Sequence, residues 1–165
     1  MVEGNRRPAF LLGALLVISP WLLVQGWILV GAPTPDHTSM PSCPEPTGNC
    51  ASLAPEGNVR MDGTYATVVD ANVSEVWAAW EAWQADEGLT SVTESTGDDG
   101  GRFGHSVAIT PFWRFPDDVV VEFTPTDNNR TELHLYSSSR LGQNDIGVNP
   151  DRLAGLHAAL LAAEA

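Results

Sequence analysis

The sequence predicts an α+β protein: one N-terminal transmembrane helix, then a small antiparallel sheet of about four to five strands covered by two helices. Three observations predict it. Residues 9–30 carry no charged side chain. Four consecutive segments between residues 89 and 137 read as strands separated by polar turns. Two further segments, opening at Asn72 and at Asn149, place apolar residues at helical spacing.

The apolar run AFLLGALLVISPWLLVQGWILV comes first. As a helix it would extend about 33 Å, close to the roughly 30 Å thickness of bilayer hydrocarbon. Only Ser19 and Gln25 in it are notably polar, Pro20 is a candidate kink, and Trp27 lies near the far end, where aromatic residues favour the interface. Arg6 and Arg7 precede the run, and the next basic residue is Arg60. The positive-inside bias therefore expects residues 1–8 in the cytoplasm, a single-pass anchor over 9–30 and the rest outside the cell membrane. The alternative is a cleaved secretory signal. It fits less well, because the run exceeds a usual signal core and Pro33 follows the candidate cleavage site at Ala32.

Residues 31–63 are rich in Pro, Gly, Ser and Thr and read as a spacer containing CPEPTGNC, with Cys43 and Cys50. A disulfide is the simplest expectation for two cysteines outside the membrane. Free thiols and a metal or redox pair are the alternatives, though CxxC spacing is absent. The globular domain is expected over 64–165. TYATVVD (64–70) reads as its first strand. Asn72 with Glu75 three residues on is a capping-box start, and Val73, Val76, Trp77, Trp80 and Trp83 follow on one stripe. A core role suits three tryptophans on one face better than a binding box. LTSVTES, GRFGHSVAIT, DDVVVEFTPT and RTELHLYS follow, the last two joined by the hairpin signal DNN. In RTELHLYS the alternation puts Leu133, Leu135 and Ser137 on one face and Glu132, His134 and Tyr136 on the other. Asn149 as N-cap and Pro150 at N1 open the last helix, whose buried stripe is Leu153, Leu156, His157 and Leu160.

Charge narrows the partners. Against 21 acidic residues stand 8 basic ones, all arginine, for a net charge of −13. The acids are scattered, as on a solvated, self-repelling surface, and no basic stripe exists for nucleic acid. A salt-rich source would account for the excess, and a GC-rich genome for arginine without lysine.

Two stretches read together are recognisable: CPEPTGNC followed by ASL, and RFPDDVVVEF leading to SSSRLGQNDIGVNPDRLAGLHAAL. They resemble the DUF1499 family of uncharacterised proteins. Its Ser-Arg-x-Gly-x-x-Asp-x-Gly-x-Asn-x-x-Arg pattern is matched by Ser139, Arg140, Gly142, Asp145, Gly147, Asn149 and Arg152. The resemblance covers about residues 43–162, so it implies domain limits for the whole soluble part. It makes an N-terminal membrane segment plausible and implies no activity.

The C-terminal motif holds the candidate site residues. Gly142 and Gly147 permit positive φ or close backbone approach. Asp145 is expected to pair with Arg140, fixing a loop against the sheet, with Ser139 in the same structural motif. The rival reading makes Arg140, Asn149 and Arg152 an anion site at the N-terminus of the last helix. A third reading uses Asp117, Asp118 and Asp145 as catalytic carboxylates, although adjacent aspartates on a strand point to opposite faces. His37, His105, His134 and His157 show no ligand spacing, so no metal and no cofactor is expected. Asn129, in Asn129-Arg130-Thr131 at a hairpin tip, is a glycosylation candidate. The leading expectation is a non-catalytic, membrane-anchored module binding a small ligand, a lipid or an envelope protein. The alternative is a hydrolase-like enzyme using Asp117, Asp118, Arg140 and Asp145.

Overall fold

The computed structural model describes residues 7–164. Helix α1 (Arg7–Gly31) runs unbroken through Pro20. It is long and apolar enough to cross a bilayer, a property that signal sequences share. Arg6, half of the basic flank that sets the expected orientation, lies outside the described residues.

The domain is α+β, as expected, built on a wholly antiparallel sheet of seven strands rather than four or five. These are β1 (Cys50–Ala54), β2 (Gly57–Val59), β3 (Val68–Val69), β4 (Thr90–Thr96), β5 (Arg102–Ile109), β6 (Pro116–Thr126) and β7 (Arg130–Ser139). The order is β2-β1-β7-β6-β5-β4, and the short β3 pairs with β7. The sheet thus begins at Cys50, inside the stretch read as spacer. All five residues of CASLA are buried, so no polar alternation marks the strand. Conversely, only Val68 and Val69 of the expected strand TYATVVD pair.

Each face of the sheet has its own cover. Helix α2 (Val73–Asp86) and helix α3 (Val148–Leu161) lie on one face. Val76, Trp77 and Trp80 of α2 and Leu153, Leu156 and Leu160 of α3 bury against Leu53, Val119, Val121, Phe123, Leu133 and Leu135. The capping box predicted for α2 is present: Asn72 Oδ1 accepts from the N–H groups of Ser74 and Glu75, and Glu75 accepts from the Asn72 N–H. The start of α3 differs from expectation. Its N-cap is Gly147 at φ 87°, and Asn149 lies inside the helix because its side chain is committed elsewhere. Across the other face run residues 33–49, whose Met40 and Cys43 pack on Cys50, Phe103, Val120 and Tyr136. The β6–β7 hairpin turns through the three residues Asp127–Asn129, with Asn128 and Asn129 at positive φ, where asparagine is tolerated better than most residues. Asn129 is exposed at its tip.

Glycine is required at one core position. A Cβ on Gly104 in β5 would stand 3.0 Å from Trp77 Cη2, 3.2 Å from Trp80 Nε1 and 3.3 Å from Val121 Cγ2. Gly104→Ala is expected to lower stability by about 1–3 kcal/mol through overpacking. The urea midpoint of the full chain in detergent reads it, and an unchanged midpoint would mean the tryptophan pair repacks freely.

Candidate functional site

The two sequence stretches that carry the family pattern are knotted together at one end of the sheet. A disulfide joins Cys43 to Cys50. The loop it closes presents Gly48 and Asn49 to the segment after β7. The Gly48 carbonyl accepts from the Asp145 N–H at 3.1 Å, and the Asn49 carbonyl from Ser139 N–H at 2.9 Å. Asn49 Nδ2 donates to the carbonyls of Ser139 and Gly142. A Cβ on Gly48 would collide with the Gln143 carbonyl, so the close approach needs glycine here. By its closed-loop length the disulfide contributes about 2–3 kcal/mol. Reductant is expected to lower the thermal midpoint accordingly, and an unchanged midpoint would mean the knot holds without it.

Asn149, fully buried, is the hub of the knot. Its Nδ2 donates to the Asn49 carbonyl at 2.8 Å and to Ser139 Oγ at 3.2 Å. Its Oδ1 accepts from Ser137 Oγ at 2.7 Å and Arg152 Nη1 at 2.8 Å. Arg152 continues to Asp117, Nη2 to Oδ2 at 2.8 Å. Arg140 does not meet Asp145 as expected. Its Nε and Nη2 both donate to Asp118 Oδ1, at 3.0 and 2.7 Å. Asp145 is taken by Arg60, at 2.6 and 3.1 Å. Arg60 was not a candidate from spacing, because it lies 85 residues away in sequence.

This pairing separates the residues grouped in the sequence reading. Asp117 points to the helix face and Asp118 to the opposite one, as strand alternation requires. The four side chains of the hydrolase alternative therefore do not converge. Nor do Arg140 and Arg152 form one anion site: each is held by its own aspartate, and Asp145 already supplies an anion to the start of α3. Its Oδ1 accepts from Gly147 N–H at 3.0 Å and its Oδ2 from Asn149 N–H at 3.1 Å. Burial pushes the Asp145 carboxyl up, but the hydrogen bonds from Arg60, Gly147 and Asn149 outweigh it and hold the group below its ordinary value.

The arm face carries a second cluster that spacing did not reveal, since its members come from the arm, β5 and β6. His105, fully buried, meets Asp118 Oδ1 through Nε2 at 2.7 Å. The His37 N–H points at His105 Nδ1, 3.4 Å away, which assigns the ring proton to Nε2 as donor. The His37 ring stands edge-on to His105 and to Tyr136, with Nε2 3.9 Å from Asp118 Oδ2. His37, His105 and Asp118 offer ligand atoms within 4.8 Å of one another. A cation taken by His105 Nε2 would have to break the His105–Asp118 bond and move the ring proton to Nδ1, against the His37 N–H. The cluster as built is a closed lock for the arm. Burial lowers the His37 pKa, as do His105 and Arg140, while Asp118 and Asp36 raise it. Burial pushes Asp118 up, but the hydrogen bonds from His105 and Arg140 prevail and hold it low.

Between the knot and α1 lies a cavity of about 310 Å³. Trp27 of α1 forms one wall; Trp113 and Phe115 of the β5–β6 loop form another. Leu141, Ile146 and Val148 of the motif segment complete its apolar lining. Asp117 also lines it, and Asp117 Oδ1 is buried with no hydrogen-bond partner among the described residues.

Fold and site define a class: a single-sheet α+β domain, with motif segments knotted beside a cavity, behind an apolar N-terminal helix. The chain belongs to a family described as "Protein of unknown function (DUF1499)", whose profile matches residues 42–160. A search of the curated proteins finds no match.

Proposed function

We propose that the protein is a single-pass membrane protein whose domain, on the extracytoplasmic face of the cell membrane, binds a lipid-like amphiphile without chemically altering it. The observation that carries this reading is the cavity beside Trp27. Its apolar walls suit an acyl or prenyl chain, and the orphaned Asp117 oxygen suits a hydroxyl or amine donor on the ligand's polar end. The run of apolar side chains exposed along α1 supports the anchor. The Cys43–Cys50 disulfide suits an oxidising compartment. The scattered acidic charge argues against a nucleic-acid partner. The hydrolase alternative gains nothing from carboxylates parted by the sheet.

Native mass spectrometry of the detergent-extracted full chain tests this. A bound mass in the lipid range is expected in the wild type and should be lost in Val148→Trp, where an indole fills the cavity. A bare protein mass in the wild type would sink the reading and shift weight to an envelope protein as partner.

A further inference from the structure

The loop between β5 and β6, residues 110–115, is tied to α1 well inside the apolar run. Trp21 Nε1 donates to the Phe112 carbonyl at 3.0 Å, and Gln25 Nε2 to the Trp113 carbonyl at 2.9 Å. The Trp27 ring stands edge-on to Phe115, 6.1 Å between centroids. At the rise of an α-helix, Gln25 and Trp21 lie about 9 and 15 Å before the end of α1 at Gly31. A loop hydrogen-bonded there is level with the hydrocarbon, not with water.

Its composition agrees. Phe112 and Trp113 are 65% and 42% exposed, their rings packed edge to face 4.9 Å apart. Ile146, which shares the cavity lining with Trp113, is 93% exposed and sits at φ 56°. A β-branched residue at positive φ is strained, and in water this exposure would be unfavourable as well. The loop is also closed on itself. Thr110 N–H donates to the Phe115 carbonyl, Arg114 N–H to the Thr110 carbonyl, and Phe115 N–H to Thr110 Oγ1. The carbonyls of Thr110, Phe112, Trp113 and Phe115 are thus all met by protein, which lowers the cost of irregular backbone at membrane depth. The exposed Arg114 next to the aromatic pair has a stem long enough to reach the phosphate layer.

We infer that residues 110–115, with Ile146, form a wedge inserted into the leaflet on the domain's side, clamped to α1 by Trp21 and Gln25. The wedge seats the domain directly on the bilayer and opens the neighbouring cavity to lipid. Gln25 thereby acquires a purpose: its amide caps a loop carbonyl that would otherwise lie unpaired in hydrocarbon. The inference rests on α1 spanning the membrane but not on the cavity holding a ligand.

The test uses the full chain in phosphatidylcholine nanodiscs, with and without lipid brominated at the 6,7 position of one acyl chain, comparing wild type with Trp113→Phe. The conservative change keeps the aromatic packing. The bromine-quenched part of the emission is expected to shrink in the variant. If Trp113→Phe removes only unquenched emission, the wedge is overturned, whether Trp113 proves open to aqueous acrylamide or shielded by a partner protein. Carbonate extraction separates the failures. A protein released by carbonate overturns the span and the wedge together; one retained with Trp113 unquenched overturns the wedge alone.

Discussion

Replacing Asp145 by alanine is expected to cost about 3–5 kcal/mol, the range for breaking a buried charge pair. The side chain is almost completely buried and accepts four hydrogen bonds, two from Arg60 and one each from the N–H groups of Gly147 and Asn149. Its loss leaves the Arg60 guanidinium beside the Cys50 carbonyl with no counter-charge and uncaps the first turn of α3. Asn149 would then lose the carboxylate that fixes its backbone, so the motif knot should loosen and carry the cavity lining with it. Asp145→Asn keeps one acceptor oxygen and the size, and should recover part of the loss. Chemical denaturation of the full chain in detergent measures both. A loss below about 1 kcal/mol for alanine would mean that water replaces the carboxylate, as at an exposed salt bridge.

Much of the architecture was legible because it follows periodicity. The stripes of α2 and α3, the capping box at Asn72, the β6–β7 hairpin and the opposite facing of Asp117 and Asp118 are local consequences of 3.6- and 2-residue repeats. The extra strands were not legible for an equally local reason. CASLA is buried on both sides and carries no alternation, and β2 and β3 are only three and two residues long. Pairing across the sheet was beyond periodicity altogether. Asp145 chooses Arg60 over the nearer Arg140 because β1 returns beside β7 and delivers the segment after it to the α3 turn. Asp118, facing the arm, claims Arg140. Likewise Asn149 reads as an N-cap until the sheet offers it the Asn49 carbonyl and Ser139, whereupon Gly147 takes the cap. The His37–His105–Asp118 cluster had no signal, since its members stand on three separate segments.

The separation of the two faces has a consequence for stability. The helix face closes with Arg152–Asp117, the arm face with Arg140–Asp118, and adjacent residues of one strand anchor both. A lesion at Asp145 should therefore loosen the knot while leaving the arm in place, and a lesion at Asp118 should do the reverse.

Asp118→Ala is the second change expected to cost about 3–5 kcal/mol. It strands the Arg140 guanidinium, 9% exposed, and His105, 0% exposed, without the carboxylate both address. With His105 unanchored, His37 loses its edge contact and residues 33–42, the part of the arm before the disulfide, should detach from the Val120–Tyr136 surface. Limited proteolysis in that arm should accelerate well before global unfolding, whereas Asp145→Ala should leave the arm protected. Equal cleavage rates in the two variants would refute the division. Acid should reproduce the lesion. The folded state holds Asp118 and Asp145 below their ordinary pKa, so their stabilisation is complete above the unfolded value of about 3.9 and is lost as pH falls from there through the depressed folded values. His37, also lowered when folded, adds a loss in the same direction that begins nearer its unfolded value of about 6.5. The arm should therefore become protease-sensitive at a higher pH than the knot, and His37→Phe, which removes the titrating group while keeping a ring against His105 and Tyr136, should shift arm release down to the carboxylate range.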